Sequence, residues 1–335
     1  MGLGEELAWW RFYLPRQAVQ LLARRLPLAT LRDRLPRAVG ERLRFGLYPA
    51  RITDATEVVC ARAHAPWGDP ARLDATRPVR YLEAPRASIL VVTYNNLALT
   101  QLCLASLQRS AGALPFEVIV VDNASSDGTP EWLAGCAERQ LMPLTVVANR
   151  HNAGFAAGNN QAAARARGDV VVFLNNDCVV VPGWLERLVG HLDGDGALGL
   201  VGPVTNSGGN AEAQLGTHYA DLDGMRRFAD DYTGAHAGQL VDVPMLPLFC
   251  AAMTRARFDA VGGLDERYGR GLFEDDDLAM AVRQRGWRVA LARDVFVHHY
   301  GGASFSRLPP SEFLRLWWQN RRAYERKWQV KWVAR

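Results

Sequence analysis

The chain has 335 residues, 49% apolar and 22% charged, with a net charge of +4. Those values fit a globular protein of one large or two smaller domains and exclude a disordered tail, a collagen and a polytopic membrane protein. Only Lys327 and Lys331 are lysines among 39 basic residues. Every mechanism that needs a lysine before residue 327 is thereby removed, including a GK[ST] phosphate loop, a protein-kinase site and a mid-chain Schiff base.

Charge is unevenly spread: residues 1–50 carry +5 and residues 307–335 carry +6, which leaves −7 between them. Aromatic residues interleave with the basic ends (Trp9, Trp10, Phe12, Tyr13; Trp317, Trp318, Trp328, Trp332). Such ends suit anionic lipid headgroups or nucleic acid, and equally suit solvated or packed helices. The five cysteines (Cys60, Cys103, Cys136, Cys178, Cys250) form no C-x-x-C pair, which points to a reducing compartment. With no run of 18 apolar residues, and with Glu5, Glu6 and Arg11 where a signal peptide needs an apolar centre, a cytoplasmic protein is expected.

In chain order, residues 1–85 read as an Arg-rich, helix-like accessory segment to about Arg51, followed by a linker punctuated by Pro66, Pro70, Pro78 and Pro85. From Ala87 the pattern becomes short apolar runs: SILVVT (88–93), EVIVVD (117–122), LTVVA (144–148) and VVVFL (170–174). Runs of this kind suit parallel strands buried on both faces. Helical stretches separate them, one with Leu99, Leu102, Leu104 and Leu107, one opening on Thr129-Pro130-Glu131, and one over Gln161–Arg167 before Gly168. Alternation at this spacing predicts an α/β domain with a mostly parallel sheet. Residues 194–209 are glycine-rich and 210–243 polar without a clear period, which predicts a mobile loop over a site. Strands are expected at 249–253, 287–291 and 295–297, with a helix from the acidic cluster Glu274–Asp277 to Gly286.

Ligands of such sheets bind beyond the carboxyl ends of the strands, so the polar residues there matter most: Thr93-Tyr94-Asn95-Asn96, Asp122–Gly128, Asn149–Asn152 and Asn175-Asn176-Asp177. No G-x-G-x-x-G turn follows the first strand, which argues against a nicotinamide or flavin enzyme. Asp177 fits a divalent metal that already takes oxygens from a diphosphate. Glu274, Asp275, Asp276 and Asp277 fit helix-end charge and fit equally a general base raised by like-charge repulsion. A histidine of the His298-His299 pair suits a second metal ligand at a strand end.

The ordered segments VVTYNN, VVDNASSDGT, NRHNAGFAAGNN, FLNNDCVV, GGLDERYGRGLFEDDDLAMAVRQRGW and VFVHHYGGASF, over residues 87–305, resemble the inverting glycosyltransferases of family 2. Among these they are most similar to bacterial rhamnosyltransferase-like enzymes of surface polysaccharide synthesis. The resemblance implies a GT-A fold, with a Rossmann-like, mostly parallel sheet flanked by helices and with helical appendages at both ends. It divides the chain into a segment 1–85, a catalytic domain 86–305 and a basic amphipathic helix 306–335.

By that resemblance Thr93, Tyr94, Asn95, Asp122, Asn152, Asn175 and Asn176 bind the nucleotide sugar. Asn175-Asn176-Asp177 stands where the family carries D-x-D, which leaves Asp177 as direct ligand to Mn²⁺ or Mg²⁺ and His299 as a further ligand, with His298 as its rival. Asp275 matches the catalytic base, and Glu274, Asp276 and Asp277 fall on the acceptor side.

The implied partners are a dTDP- or UDP-sugar, a glycan or lipid-linked acceptor, an anionic membrane surface reached by the 311–335 helix, and room for a homo-oligomer. The acidic middle argues against nucleic acid. Gln284–Trp287 reads Q-R-G-W rather than the Q-x-x-R-W of processive synthases, so transfer of one or a few sugars is expected. The runner-up is a non-catalytic scaffold that binds a sugar nucleotide within a polysaccharide assembly complex.

Overall fold

The computed structural model describes residues 72–207, 213–219, 221–301 and 309–333. The accessory segment to residue 71, with Cys60, and residues 302–304 of the His-Tyr-Gly-Gly region lie outside the described residues. The architecture alternates through its first half: β1 (Ala87–Thr93), α1 (Leu97–Arg109), β2 (Phe116–Asp122), α2 (Thr129–Arg139), β3 (Leu144–Ala148), α3 (Phe155–Ala163) and β4 (Val170–Asn175). The second half is mixed: β5 (Cys178–Val180), α4 (Trp184–Gly194), β6 (Leu198–Val204), α5 (Leu222–Ala235), β7 (Leu240–Asp242), β8 (Cys250–Thr254), α6 (Arg255–Val261), a 3₁₀ turn (Glu266–Tyr268), α7 (Glu274–Gln284), β9 (Arg288–His299) and α8 (Pro310–Trp328).

The nine strands form one sheet in the order β3-β2-β1-β4-β8-β6-β9-β5, with β7 also on β9. β3, β2, β1 and β4 are parallel, and β6 and β9 share their direction through the antiparallel β8. Most strands therefore run one way, as the apolar runs predict, and their carboxyl ends share an edge. Both faces are covered. Ile89, Val91, Val118 and Val120 pack with Leu104, Leu133 and Trp184 on one side, and Leu90, Ile119, Val121 and Phe173 pack with Ala156, Phe258, Leu278 and Val282 on the other. This alternation within continuous apolar runs is what two-sided burial requires.

Three sequence expectations change. The glycine-rich stretch holds β6, fully buried, because its glycines permit close packing: a Cβ on Gly199 would lie 2.5 Å from Val282 Cγ1 and 2.7 Å from Trp287 Cβ. The expected polar loop contains a helix, α5, capped by Asp221 accepting from Gly224 N at 2.7 Å and burying Leu222, Met225, Ala229 and Thr233. The two strands expected at 287–297 are one, β9, whose register against β6 shifts between Pro203 and Val204.

Among the described residues no helix is long and apolar enough to cross a membrane. Cys103, Cys136, Cys178 and Cys250 are free and buried.

Candidate active site

Loops at the carboxyl edge of β1–β4 are tied together by amides, hydroxyls and the Asp122 carboxylate. Thr93 Oγ1 lies 3.0 Å from Thr100 Oγ1, and Asn176 Nδ2 donates to both hydroxyls at 3.1 and 3.0 Å. Asn176 is buried and is turned inward, so it fastens β4 to β1 rather than facing a ribose. Asn95 accepts from Ser126 N at 2.8 Å and its own N–H donates to Ser125 Oγ at 2.7 Å. Ser125 in turn donates through Oγ and N to the buried Asp122 carboxylate, at 2.5 and 3.2 Å.

Asn152 accepts from Gly154 N at 2.9 Å, and Asn123 donates to Gly154 O at 3.1 Å. Tyr94 is 43% exposed at the mouth of these loops, and Asn175 is half-buried at the end of β4. Left-handed backbone at Asn95 and Asn96, φ 58° and 63°, uses the residue type that best tolerates it after glycine.

Past β4 the chain turns back as β5, which pairs antiparallel with the end of β9 and sets Cys178 opposite His299. Asp177 is buried and His299 half-buried at this junction, with Asp177 Oδ1 3.2 Å from His299 Nε2. His299 Nδ1 is engaged by Ser207 O at 2.8 Å, and its ring stacks on Phe249 at 4.8 Å. Burial alone would push His299 down, but the Asp177 carboxylate and the Ser207 carbonyl outweigh it and hold the ring above its ordinary range. His298 points elsewhere: Tyr219 OH lies 2.5 Å from its Nδ1, and burial pushes it down to about 3, a neutral imidazole. The pair thus sorts itself, with His299 meeting Asp177.

A carboxylate oxygen and an imidazole nitrogen whose other nitrogen is already fixed make a fitting donor set for Mn²⁺ or Mg²⁺. The Cys178 sulfur completes a cluster whose ligand atoms lie within 4.8 Å of one another. That thiol is pushed well up by burial and donates to Phe249 O at 3.4 Å, so it is a neutral group that a hard cation does not seek.

The acidic cluster opens α7. Its four carboxylates suit the positive end of the helix, yet they divide into two pairs. Asp276 and Asp277 are buried and committed to the C-terminal segment. Asp276 Oδ1 accepts from Trp332 Nε1 at 3.1 Å. Asp277 accepts from Tyr268 OH at 2.9 Å, Trp328 Nε1 at 2.8 Å and Lys327 Nζ at 2.6 Å. Their expected place beside an acceptor gives way to anchoring of α8, since a carboxylate carrying these bonds has few lone pairs left for a substrate.

Glu274 and Asp275 are half-buried. Burial pushes Asp275 up to about 6 against backbone N–H bonds that pull it down, and burial with the adjoining Asp275 charge holds Glu274 well above the carboxylate range. Glu274 Oε2 is buried with no hydrogen-bond partner among the described residues. Leu272 and Phe273, immediately before, sit at φ 76° and 77°, a conformation costing about 1–2 kcal/mol at each non-glycine residue.

Gly154 joins the two halves. At φ +90°, a Cβ there would meet Gly269 O at 1.9 Å, so the loop after β3 and the turn before α7 are in backbone contact. The acidic turn therefore stands at the same sheet edge as the β1–β4 loops. Ser125, Thr100, Phe249 and Ser207 complete the site without a sequence signal of their own, because their function is to orient other groups.

The family model for glycosyl transferase family 2 matches residues 88–261, just over half of the chain. The O-antigen biosynthesis protein RfbC of Myxococcus xanthus is 28% identical over 71% of this chain and 19% of its own length. The uncharacterized glycosyltransferase YfnE of Bacillus subtilis is 25% identical over 64% of each. An uncharacterized protein of Sinorhizobium fredii, y4gI, is 29% identical over 66% of this chain and 25% of its own length. The chain thus spans between about a fifth and just under two thirds of these curated relatives.

Among solved structures, a mannosyltransferase of Pyrobaculum calidifontis in complex with GDP-Man and Mn²⁺ is similar with TM-score 0.50 and 24% identity, over 76% of this chain and 67% of that one. GalNAc-T7 with UDP, GalNAc and Mn²⁺ is similar with TM-score 0.50 and 16% identity, over 65% and 44%. These likenesses show the GT-A fold.

Proposed function

The chain belongs to glycosyl transferase family 2, and we propose that it moves one sugar, with inversion, from a nucleotide-diphosphate sugar to a hydroxyl of a glycan or lipid-linked acceptor. The observation that carries this reading is the Asp177–His299 pair at the carboxyl ends of β4 and β9. A divalent cation held there would steady the charge of the departing diphosphate. Thr93, Tyr94, Asn95, Asp122, Asn152 and Asn175 border the space for the nucleotide and sugar, with Asn176 bracing them from behind.

Asp275, with a pKa near 6, is ionised at neutral pH and basic enough to accept the proton of an acceptor hydroxyl as that oxygen attacks the anomeric carbon. A single displacement inverts the configuration and needs no covalent nucleophile. The O-antigen biosynthesis relative supports surface polysaccharide as the product class. The two ligand-bound neighbours, one with UDP and one with GDP-Man, make GDP-sugars part of the test beside the dTDP- and UDP-sugars that the sequence resemblance implies.

Peripheral attachment to the cytoplasmic face of a membrane is also proposed, through the outer face of α8. Phe313, Trp317 and Tyr324 are buried against Tyr268, Leu272 and Phe273, so the helix's apolar face is spent within the protein. Its outer face presents Arg315, Trp318, Arg322 and Arg326, all exposed, a basic and aromatic stripe suited to anionic lipid. Flotation with phosphatidylglycerol vesicles should carry the protein upward, and absence of binding would discard the attachment.

The central test is nucleotide release from a panel of UDP-, dTDP- and GDP-sugars, with and without acceptor glycans, in Mn²⁺ and in chelator. Metal-dependent turnover is expected. Binding of a sugar nucleotide without turnover would favour the scaffold, and full turnover in chelator would remove the metal from Asp177 and His299.

A further inference from the structure

The turn that delivers Asp275 is only partly held by its own backbone, through Gly271 N donating to Tyr268 O at 3.3 Å and Asp277 N to Phe273 O at 2.9 Å. Gly269, Gly271, Leu272 and Phe273 have φ of 60°, 135°, 76° and 77°, so the carbonyls of this stretch are not all satisfied by helix or sheet partners, and buried carbonyls need donors. One side chain supplies them. Asn320, 1% exposed on α8, donates through Nδ2 to Tyr268 O at 2.9 Å, Gly271 O at 2.8 Å and Leu272 O at 3.1 Å.

Two turns further along the same helix, Lys327 Nζ reaches Asp277 Oδ2 at 2.6 Å and Asp265 Oδ2 at 2.7 Å. The indoles of Trp328 and Trp332 reach Asp277 and Asp276. Phe273 is enclosed by Trp317, Tyr324 and Trp332, with ring centroids at 6.0, 5.9 and 5.4 Å. All of these groups lie beyond residue 261, where the family match ends.

We propose that Asn320 is a positioning residue for transfer: carried by α8, its amide fixes the 268–273 turn so that Asp275 stands at the start of α7 facing the acceptor. Lys327 and the two indoles complete the device by engaging Asp276 and Asp277, which leaves Glu274 and Asp275 as the carboxylates turned to the site. The proposal rests on Asp275 being the base.

The test compares Asn320→Ala with Gln319→Ala, the exposed neighbour on the same helix, in the full chain. For Asn320→Ala, kcat should fall between about 10- and 10²-fold, the scale of a small misplacement of a reacting group, while donor KM stays within about two-fold. Hydrogen exchange should speed up at the Gly271 and Asp277 amides, which donate to Tyr268 and Phe273 carbonyls, as a locally opened turn requires. Gln319→Ala should change neither.

Unchanged kcat with unchanged exchange overturns the proposal. Equal losses of kcat, nucleotide binding and thermal stability also overturn it, as a general folding defect. If Asn320→Ala does not fold, Lys327→Met, which keeps the stem and removes the ammonium, is expected to show the same split between kcat and KM. A wild-type protein that turns over no donor would refute the reading of Asp275 instead, and the exchange arm would still decide whether Asn320 holds the turn.

Discussion

The two halves of the site are built from different chemistry. The half contributed by β1–β4 is assembled mostly from amides and hydroxyls: Thr93, Thr100 and Asn176 in one knot, and Asn95 and Ser125 around the Asp122 carboxylate in another. Polar groups that satisfy one another cost little to bury, so this half is preorganised by bonds among its own strand-end loops. The half contributed by β9, α7 and α8 buries carboxylates held above their ordinary range, and its left-handed residues are Leu272 and Phe273, which tolerate that backbone less well than the Asn95 and Asn96 of the other half; each of these features works against folding. It needs outside support, and it receives that support from the C-terminal helix. A binding surface can be held by cheap local bonds, whereas a base whose pKa must be raised requires a desolvated and therefore costly setting.

Asp275→Asn is the sharpest break of this contrast. Transfer should fall about 10²- to 10⁴-fold with nucleotide affinity unchanged in calorimetry. The same variant should be more stable than wild type above pH 6. The sign follows from Asp275 binding its proton more tightly when folded, with a pKa of about 6 against an ordinary 3.8. Its cost to stability is absent below about pH 4, grows as pH rises to about 6, and persists above. Thermal melts should show a gain of roughly 1–3 kcal/mol at pH 8 and none at pH 4. In wild type the same ionisation should give the rate a rising limb centred near pH 6.

His299→Ala is next. Loss of a ligand nitrogen should weaken metal activation about 10- to 10²-fold, by analogy with the loss of groups that orient a metal site, read as a rise in the Mn²⁺ concentration needed for half-maximal rate. Gly154→Ala tests the seam between the halves: with a Cβ aimed at Gly269 O and a backbone that only glycine adopts easily, it should cost about 3 kcal/mol of stability and lower activity even where folded. The smallest effect belongs to the β1–β4 half. Asn176→Ala removes two buried hydrogen bonds, and a loss of about 1–3 kcal/mol with a modest rise in donor KM is expected from urea melts and initial rates.

Much of this was legible in the chain itself. Apolar runs flanked by turn residues marked β1–β4, and because side chains of a parallel sheet are buried on both faces, their carboxyl-edge loops could be named before any coordinates. β6 was not legible, because Gly199 and Gly202 resemble a loop unless one knows that Val282, Trp287 and Leu246 press against them. α5 left a fainter signal, Leu222, Met225 and Ala229 at helical spacing, beneath a polar composition. Asn320 left one too: it falls in the series Phe313, Trp317, Asn320, Tyr324, the single amide on an otherwise apolar face.

Residue identity and order alone determined the parallel strands β1–β4, the carboxyl edge they share and the polar and acidic residues placed along it, since periodicity and strand-end position are local properties. Only the tertiary structure decided which of two adjacent histidines meets Asp177, which two of four adjacent carboxylates face inward, and which face of the C-terminal helix is exposed. Neighbours in sequence share composition, but opposite strand faces and successive helix positions point their side chains in different directions, and those directions acquire meaning only when distant segments pack against them.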